Sequence, residues 1–598
     1  MTMKATYLLP VALFLLLSVF FLGLPNLKYC TLPRGEKCPR ALTRADALIM
    51  ALISVIYAAL AFTGLGYNYS PESFAFLGGE SAVIELPGDV HPSRIMLFSG
   101  VGEGVYTVDY SSDGIAWENM GEFEQDYTQV LKWNGLIPET LSAPPKYVRI
   151  SGTGGAYLGE VCFFDGDGAA IPARGADEIA QLLVDEADTV PVRQSFLNST
   201  YFDEIYHART AWEHLNGVYP YEISHPPLGK LIIGIGISLF GMTPFGWRFM
   251  GTLFGVLMLP VMYILVKKLF GGRAVPSVCT AVFACDFMHF AQTRIATIDT
   301  YSVMFIMLMY LFIFLFLQSA SEDNPPRRAL VYLALCGISF GLGAASKWTS
   351  IYAGCGLAVL WGAYWVVNRQ RGFKAFMKNA LFCVVFFVLI PAAIYYLSYT
   401  PYGQASGMSA PGMYFSGDYM RIVLDNQSFM YSYHSGLVAE HPYSSVWYQW
   451  LLDIRPILYY LDYFDDGTRS SFGAFVNPAL CWGGLLSLFV LAYTALFRRD
   501  RTAGFILVGY LAQLLPWVFI SRLTFEYHYF PCTVFLVLAL GYCFKLFRLN
   551  SRRWKWYLGG FAAVSAALFV LFYPALSGLV VDNAVATKLL GWLPTWPF

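Results

Sequence analysis

Charge is scarce in this chain. Asp, Glu, Lys and Arg make up 13% of its 598 residues, against about 25% in a soluble domain. With 57% of residues hydrophobic, a wholly water-facing protein is excluded. The net charge of −1, without a polybasic tract or a nucleic-acid motif, gives no footing for nucleic acid. The eleven cysteines form no CxxC pair and no zinc spacing, so neither a zinc finger nor a CxxC redox site is expected. Cys279, Cys285, Cys336, Cys355, Cys383, Cys481 and Cys543 fall in or beside apolar runs and read as small core hydrophobes. Cys30 and Cys38 share a loop and could pair only in an oxidising space. No internal repeat is visible.

Long apolar runs are what the sequence does have. Twelve lie near 8–24, 46–66, 246–266, 275–292, 301–318, 329–345, 351–367, 379–398, 472–497, 503–520, 527–545 and 556–575, and a spanning helix needs about 20 such residues. The first follows Lys4 but lacks a small-residue cleavage site, so it reads as a helix and not as a secretory signal. More than half of the 39 basic residues fall in alternate short loops. These hold Lys28, Arg34, Lys37, Arg40 and Arg44, then Lys267, Lys268 and Arg273, then Arg327 and Arg328. Arg369, Arg371, Lys374 and Lys378 follow, then Arg498, Arg499 and Arg501, and last Lys545, Arg548, Arg552, Arg553 and Lys555. By the positive-inside rule these loops are cytoplasmic. Both termini and the two long loops, 67–245 and 399–471, then face outward, with Lys4 on the wrong side.

The first long loop is compound. Within 69–172, Ser81–Leu86, Arg94–Phe98, Val105–Tyr110 and Tyr147–Ile150 alternate in character between Gly, Pro, Asp and Ser breaks, which predicts a β-sandwich. Tyr110–Trp117, Tyr147–Ile150 and Leu158–Phe164 resemble the discoidin-like, galactose-binding type of jelly roll, many members of which bind glycans while others are structural. Placed between a spanning helix and the acidic motif at 203–204, it reads as an accessory insertion without catalytic groups. Residues 175–188 read as an amphipathic packing linker with Ile179, Leu182 and Leu183 on one side. Leu228–Phe240 is too short to span comfortably and is placed along the interface.

Polar residues gather at the ends of the apolar runs on the predicted outer side. Asp203 and Glu204 open a short helical pattern, a placement that the helix dipole alone could favour. His225 and Lys230 flank the rigid Pro226-Pro227 turn, and Arg248 starts a spanning helix. Asp299 also reads as a helix N-cap. Lys347-Trp348, Glu440-His441, Arg455, Arg522 and His528 complete the set. Charge at a membrane boundary can simply snorkel, but acids and bases from five loops on one face suit a shared site. A lipid-phosphate sugar donor needs this mixture: an apolar groove for its tail, cations for its phosphate, and a carboxylate to deprotonate the attacking hydroxyl.

Phe202-Asp-Glu204, His225-Pro-Pro-Leu-Gly-Lys230, Arg294-Ile-Ala-Thr-Ile-Asp299, Lys347-Trp348, His441-Pro-Tyr-Ser-Ser445, Phe525-Glu-Tyr-His-Tyr-Phe-Pro531 and Leu590–Phe598 occur in one order. Together they closely resemble the bacterial branch of the protein O-mannosyltransferase family, membrane glycosyltransferases of GT-C type. The resemblance implies a polytopic α-helical membrane protein that transfers mannose, with inversion, from polyprenyl-phosphate-mannose to Ser or Thr hydroxyls of exported proteins. It implies no metal and no cofactor. It makes Asp203 the base with Glu204 in support, and Arg248, Lys347, Arg522 and His528 the donor phosphate and lipid ligands. His225, Lys230, Asp299 and His441 would line the substrate pocket. Expected partners are the lipid donor, exported proteins, the secretion translocon and, through the jelly roll, a glycan. The site would lie on the extracytoplasmic side of the cell membrane. Departures are the inserted jelly roll, an added N-terminal helix, and the lack of the β-trefoil that eukaryotic members carry in the later long loop.

The organisation expected is 1–66 for two N-terminal helices, 67–174 for the β-sandwich and 175–245 for the rest of the first outer loop. Then come 246–398 for six helices, 399–471 for the second long loop, and 472–598 for four helices and an outer tail. Competing readings are a related transferase with a lipid or cell-wall glycan acceptor, a sugar or lipid transporter, and a sugar-binding receptor. A transporter would place ionisable groups at the midplane, and a receptor would leave the Asp-Glu and His-Pro-Pro motifs without a task.

Overall fold

The computed structural model describes residues 8–22, 24, 31, 41–139, 141–321 and 327–598. The expectations for Lys4, Lys28, Cys30, Arg34, Lys37, Cys38 and Arg40 lie outside the described residues. The chain forms two compact units. One comprises 64–216 with 233–250, the other the residues up to 63, 217–232 and 251–598.

The first unit is built on ten strands: β1 (Ala75–Phe76), β2 (Ser81–Glu85), β3 (Arg94–Ser99), β4 (Gly104–Ser111), β5 (Glu118–Gln125), β6 (Lys132–Leu136), β7 (Tyr147–Gly154), β8 (Tyr157–Phe164), β9 (Ala170–Ile171) and β10 (Arg174–Gly175). They pair antiparallel into two sheets, β1-β8-β3-β6 with β9 on β8, and β10-β2-β7-β4-β5. Period-two alternation aims Ile84, Val108 and Ile150 from one sheet and Leu97, Val161 and Phe163 from the other into one apolar core.

Two sequence expectations change here. The segment after residue 174 is part of the sandwich, not a linker. Asp177 caps the Glu178–Gln181 helical turn through the Ala180 amide, and spacing of three and four then sends Ala180, Leu183 and Val184 into the core. Ile179 and Leu182 face out instead. Nor is the sandwich a detached accessory. Thr200 donates from its amide to Leu131 O and from its hydroxyl to Val130 O. Arg209 lies 3.7 Å from Glu103, and the Trp212 ring packs edge-on against Phe74 and Tyr157. The Glu204–Leu215 helix is therefore seated on the sandwich.

In the helical unit and the remainder of Pro244–Phe270, nine helices among the described residues are long and apolar enough to cross a bilayer, fewer than the twelve runs suggested. The run near 275–292 is bent by 56° between Ala274–Ala284 and Phe287–Thr293, and counts as a tenth if it is one broken span. Asp286 sits at the break and caps the second piece through the His289 amide. Leu8–Leu22 has 15 residues, about 22 Å of helix against about 30 Å of hydrocarbon. Helix Arg44–Phe62 starts on a Thr43–Asp46 capping box. Asp46 also accepts from Tyr263 Oη at 2.7 Å and Lys267 Nζ at 2.9 Å, so Lys267 is a buried partner and not a loop cation.

The Glu526–Asn550 run is buried along its whole apolar window, whereas the apolar window of Phe373–Ala405 is only 6% buried, the pattern of a helix at the lipid-facing edge. That helix stays close to Arg328–Ser346 because Gly337 leaves room: a Cβ there would lie 2.1 Å from Phe386 O. The connection 399–471 is not a featureless loop. It contains the helices Thr400–Ala405 and Gly417–Gly436 and a hairpin of β11 (Ile457–Tyr463) and β12 (Thr468–Ala474), extended by β13 (Val581–Asp582).

Candidate active site

The chemistry-bearing residues form one cluster in each unit. In the sandwich unit, the chain reaches Asp203 through Phe202, whose φ of 47° lies in the left-handed region that a bulky side chain occupies only under constraint. Asp203 is the N-cap residue of the Glu204–Leu215 helix and is half-buried. Its carbonyl accepts from the Tyr206 and His207 amides, both at 3.1 Å, while its carboxylate does not cap the helix. Glu204 is fully buried. Its Oε1 accepts from Arg248 Nε at 2.8 Å, and its Oε2 from Arg248 Nη2 at 2.7 Å and Trp247 Nε1 at 3.2 Å.

Arg248 is fully buried too. Nη1 donates to Leu65 O and Nη2 also to Ser199 O, both at 2.8 Å, and the guanidinium lies 4.7 Å from the Tyr201 ring centre. Gly66 completes the enclosure, since a Cβ there would come within 3.0 Å of Arg248 Nη1. The expectation that Arg248 holds the donor phosphate therefore meets a guanidinium whose fork is committed to Glu204 and to carbonyls. The pair leaves Asp203 as the more accessible carboxylate.

In the helical unit, Pro226 and Pro227 lead into the Leu228–Phe240 helix, where missing amide protons cost nothing. Lys230 is fully buried and donates to Glu222 Oε2 at 2.5 Å, Glu222 O at 2.8 Å and His225 O at 3.0 Å. All three ammonium donors thus bind the turn that carries His225, so Lys230 fixes that turn and has no donor left over. Glu222 Oε1 meets the Ser224 amide, Ser224 Oγ and His225 Nδ1. Asp299 is the first residue of the Asp299–Ala320 helix, not its cap, and binds Lys347 Nζ at 2.7 Å. Lys347 Nζ also lies 5.4 Å from the Tyr527 ring centre.

His528 stacks against Trp450 and Tyr527 and meets Trp517 edge-on. Lys347, Arg522 and His225 act on it electrostatically. His441 takes the Tyr443 amide on Nδ1 and packs edge-on against Phe525. It belongs to the seam where Ser445 and Thr524 exchange hydrogen bonds at 2.9 and 2.6 Å. This seam docks the long connection on the segment that carries Arg522 and His528.

Sequence reasoning missed Glu222 and His434. His434 Nε2 lies 2.8 Å from Ser224 O, and its ring meets that of His225 edge-on at 5.1 Å. Burial first, then His225, Arg522 and Lys347, lower its pKa to about 4. His225 is likewise held below the usual imidazole range by burial, with Lys347 and Lys230 opposing the pull of Glu222. The signal for Glu222 was its place three residues before His225 on a proline turn. For His434 it was position alone, within the long connection.

Long apolar helices of spanning length joined to an inserted β-sandwich make this a polytopic membrane protein, and its likeness to known proteins places it among membrane glycosyltransferases of GT-C-like fold. The profile described as dolichyl-phosphate-mannose-protein mannosyltransferase matches residues 224–396. That of the C-terminal four-transmembrane region of protein O-mannosyltransferase matches 419–596. Between them they cover more than half of the chain, which belongs to the protein O-mannosyltransferase family and is a mannosyltransferase.

Relatives include the polyprenol-phosphate-mannose–protein mannosyltransferases of Mycobacterium tuberculosis, 27% identical over 66% of this chain and 86% of that protein, and of Corynebacterium glutamicum, 24% identical over 62% and 81%. The solved Saccharomyces cerevisiae Pmt1–Pmt2 complex bound to the sugar donor shares the fold. Its TM-score is 0.58 at 14% identity, covering 67% of this chain and 89% of that one.

Proposed function

We propose that this mannosyltransferase takes mannose from a polyprenyl-phosphate carrier and transfers it, with inversion, to Ser or Thr hydroxyls of exported proteins on the extracytoplasmic side of the cell membrane. A polyprenol-phosphate-mannose donor and a protein acceptor are what the mycobacterial relatives are named for. In this reading Asp203 deprotonates the acceptor hydroxyl, and the Glu204–Arg248 pair fixes the start of its helix. Lys347 and Arg522 receive the donor phosphate.

What supports the phosphate assignment is the placing of Lys347, 2.7 Å from Asp299 and 5.4 Å from the Tyr527 ring centre, against the segment that carries half-buried Arg522, both cations together with burial lowering the pKa of His434. These cations match the phosphate charge in the role a metal ion fills elsewhere, and the reaction is read as metal-independent. The test is a membrane assay with radiolabelled polyprenyl-phosphate-mannose and Ser/Thr peptides. Peptide labelling supports the reading. Label passing only to lipid or glycan would move the acceptor to another class.

A further inference from the structure

Two acids outside the groups assigned above, Asp453 and Glu526, are fully buried and lie within hydrogen-bond reach of each other. Asp453 Oδ1 accepts from the Val476 amide at 3.1 Å. Asp453 Oδ2 and both oxygens of Glu526 receive no hydrogen bond from any donor among the described residues. The other ionisable groups coupled to the pair are Asp286, at the break of the 275–292 run, and Cys481, at the start of the Pro478–Arg498 helix. His528 and Tyr529, on the turn that Glu526 starts, face Trp450, and Tyr510 of the Arg501–Val518 helix meets Tyr529. No Lys, Arg or His among the described residues acts on either acid.

A carboxylate only accepts, so two ionised carboxylates in contact repel, and burial without a cation makes the second charge costlier still. One proton removes both difficulties. It turns one acid into a donor to the other, and a hydrogen bond to a carboxylate is among the strong ones. Such a proton belongs to the pair and not to either residue. Burial holds the Asp453 carboxyl above the usual carboxylate range, against the pull of Glu526 and of the Val476 amide. The pair also sits at a joint. Asp453 has a φ of 58°, which a non-glycine residue keeps only where its surroundings impose it. Its carbonyl takes Trp596 Nε1 at 2.8 Å, and the Leu452 carbonyl takes Trp482 Nε1 at 3.0 Å. Three residues before Asp453, Trp450 stacks on His528, and Thr524, two residues before Glu526, is the residue that exchanges hydrogen bonds with Ser445. The two acids thus belong to the seam that docks the long connection on the turn of His528.

We propose that Asp453 and Glu526 are positioning residues that share one proton, and that this link holds the long connection against the turn carrying His528 in the arrangement competent for transfer. When the proton leaves, two like charges face each other in a closed space, and the seam must open or take in water. The folded pair keeps a proton that the unfolded chain releases. Its contribution is therefore full below the unfolded carboxylate range and is lost as pH rises through the raised value of the pair. Mannosyl transfer should fail on the alkaline side, whichever acceptor takes the sugar.

The test follows kcat for mannose transfer from polyprenyl-phosphate-mannose from neutral to alkaline pH, with the full chain in detergent. The series is built on Glu160→Gln, so that the buried acid of the sandwich, whose pKa is pushed up to about 8, does not titrate as well. The parent rate should fall reversibly, by up to about tenfold per pH unit once the pair loses its proton. Glu526→Gln puts an amide donor to Asp453 in place of the proton, and Asp453→Asn does so from the other side. Each should transfer at neutral pH and shift the alkaline limb upward or abolish it. Glu526→Ala leaves Asp453 ionised and alone, and should lose roughly tenfold or more at neutral pH. Infrared difference spectra of the parent between neutral and alkaline pH should show the C=O stretch of a protonated carboxyl disappearing, a readout that stands even if an amide variant does not fold. An alkaline limb unmoved in both amide variants, or no such carboxyl band, would overturn the proposal. So would a parent rate that is lost on chelation and restored by Mg²⁺ or Ca²⁺ only while both acids are intact, since a cation would then stand where the proton is placed.

Discussion

Arg248 grips both carboxylate oxygens of Glu204, at 2.8 and 2.7 Å, with both side chains fully buried. A bidentate pair of this kind is geometrically specific, and removing one partner strands a charge. Glu204→Ala and Arg248→Ala should each destabilise the protein by about 3–5 kcal/mol. The double variant should cost clearly less than the two singles combined. Arg248→Lys keeps the charge, loses the planar fork and should fall between. Thermal unfolding in detergent gives the cycle. Additive losses would show that the pair is not an energetic unit.

Asp203 is the test of the chemistry. It shares the helix start with Glu204, yet it is half-buried where Glu204 is closed in. Asp203→Asn removes a base with little change in shape. Transfer should fall by roughly 10²- to 10⁴-fold while donor binding persists. Near-normal turnover in a folded variant would hand the role of base to another group.

Much of this was legible in the sequence, for reasons that differ by residue. The helical membrane scaffold follows from apolar length, and the sandwich strands from period-two patterning. Asp203, Lys347 and His225 stand in motifs that carry the family resemblance. What the sequence did not reveal are relations between distant segments. Arg248 reads as an exposed fork until Glu204, Leu65 O and Ser199 O surround it. Lys230 reads as a pocket cation until Glu222 and His225 O absorb its donors. The run at 275–292 reads as one helix, because its apolar count does not register the bend where Asp286 caps a second start.

Phosphate recognition separates two cations. Lys347 is paired with Asp299, whereas Arg522 is half-buried and donates from Nη1 to the neighbouring Leu523 O at 3.3 Å. Lys347→Met should weaken donor affinity and leave Asp299 without its charge partner, so Tm should fall as well. Arg522→Met should weaken donor affinity with a smaller change in Tm. Titration with the lipid phosphate alone separates phosphate binding from sugar binding. Unchanged titrations in both variants would place the phosphate elsewhere.

The sandwich has a pH signature of its own. Glu160 is fully buried, accepts from the Glu186 amide at 3.1 Å and lies within a group formed with Asp185 and Glu186. Burial first, then the charges of Asp185 and Glu186, push its pKa up to about 8, although the Glu186 amide bond pulls the other way. The folded state thus holds a proton that the unfolded chain releases near 4.5. The resulting stability is full below that value and is lost as pH rises toward 8. Glu160→Gln should raise Tm at pH 8 and lose this advantage toward pH 4.5. A Tm difference that does not vary with pH would refute the buried protonated acid.

The sandwich also decides whether Asp203 is held in place. The turn before β6 lends Val130 O and Leu131 O to Thr200, three residues before Asp203. Phe74 and Tyr157 cover Trp212 on the helix that Asp203 starts. Tyr127 stacks with Tyr206 on the same helix at 6.2 Å. Phe202 keeps its left-handed φ between these anchors, and such a conformation persists only where the surroundings impose it. Replacing 69–172 with a flexible linker would remove all of them and strip the cover from Leu183 and Val184. Transfer should then be lost even to a short peptide, although the variant still inserts in the membrane. Trp212→Ala is the milder version. It should lower kcat by roughly tenfold or more through a misplaced Asp203, with donor affinity preserved. If the linker variant inserted properly and kept peptide transfer within tenfold of wild type, the helix at 204–215 would hold its place unaided, and the sandwich would be the accessory that its sequence suggested.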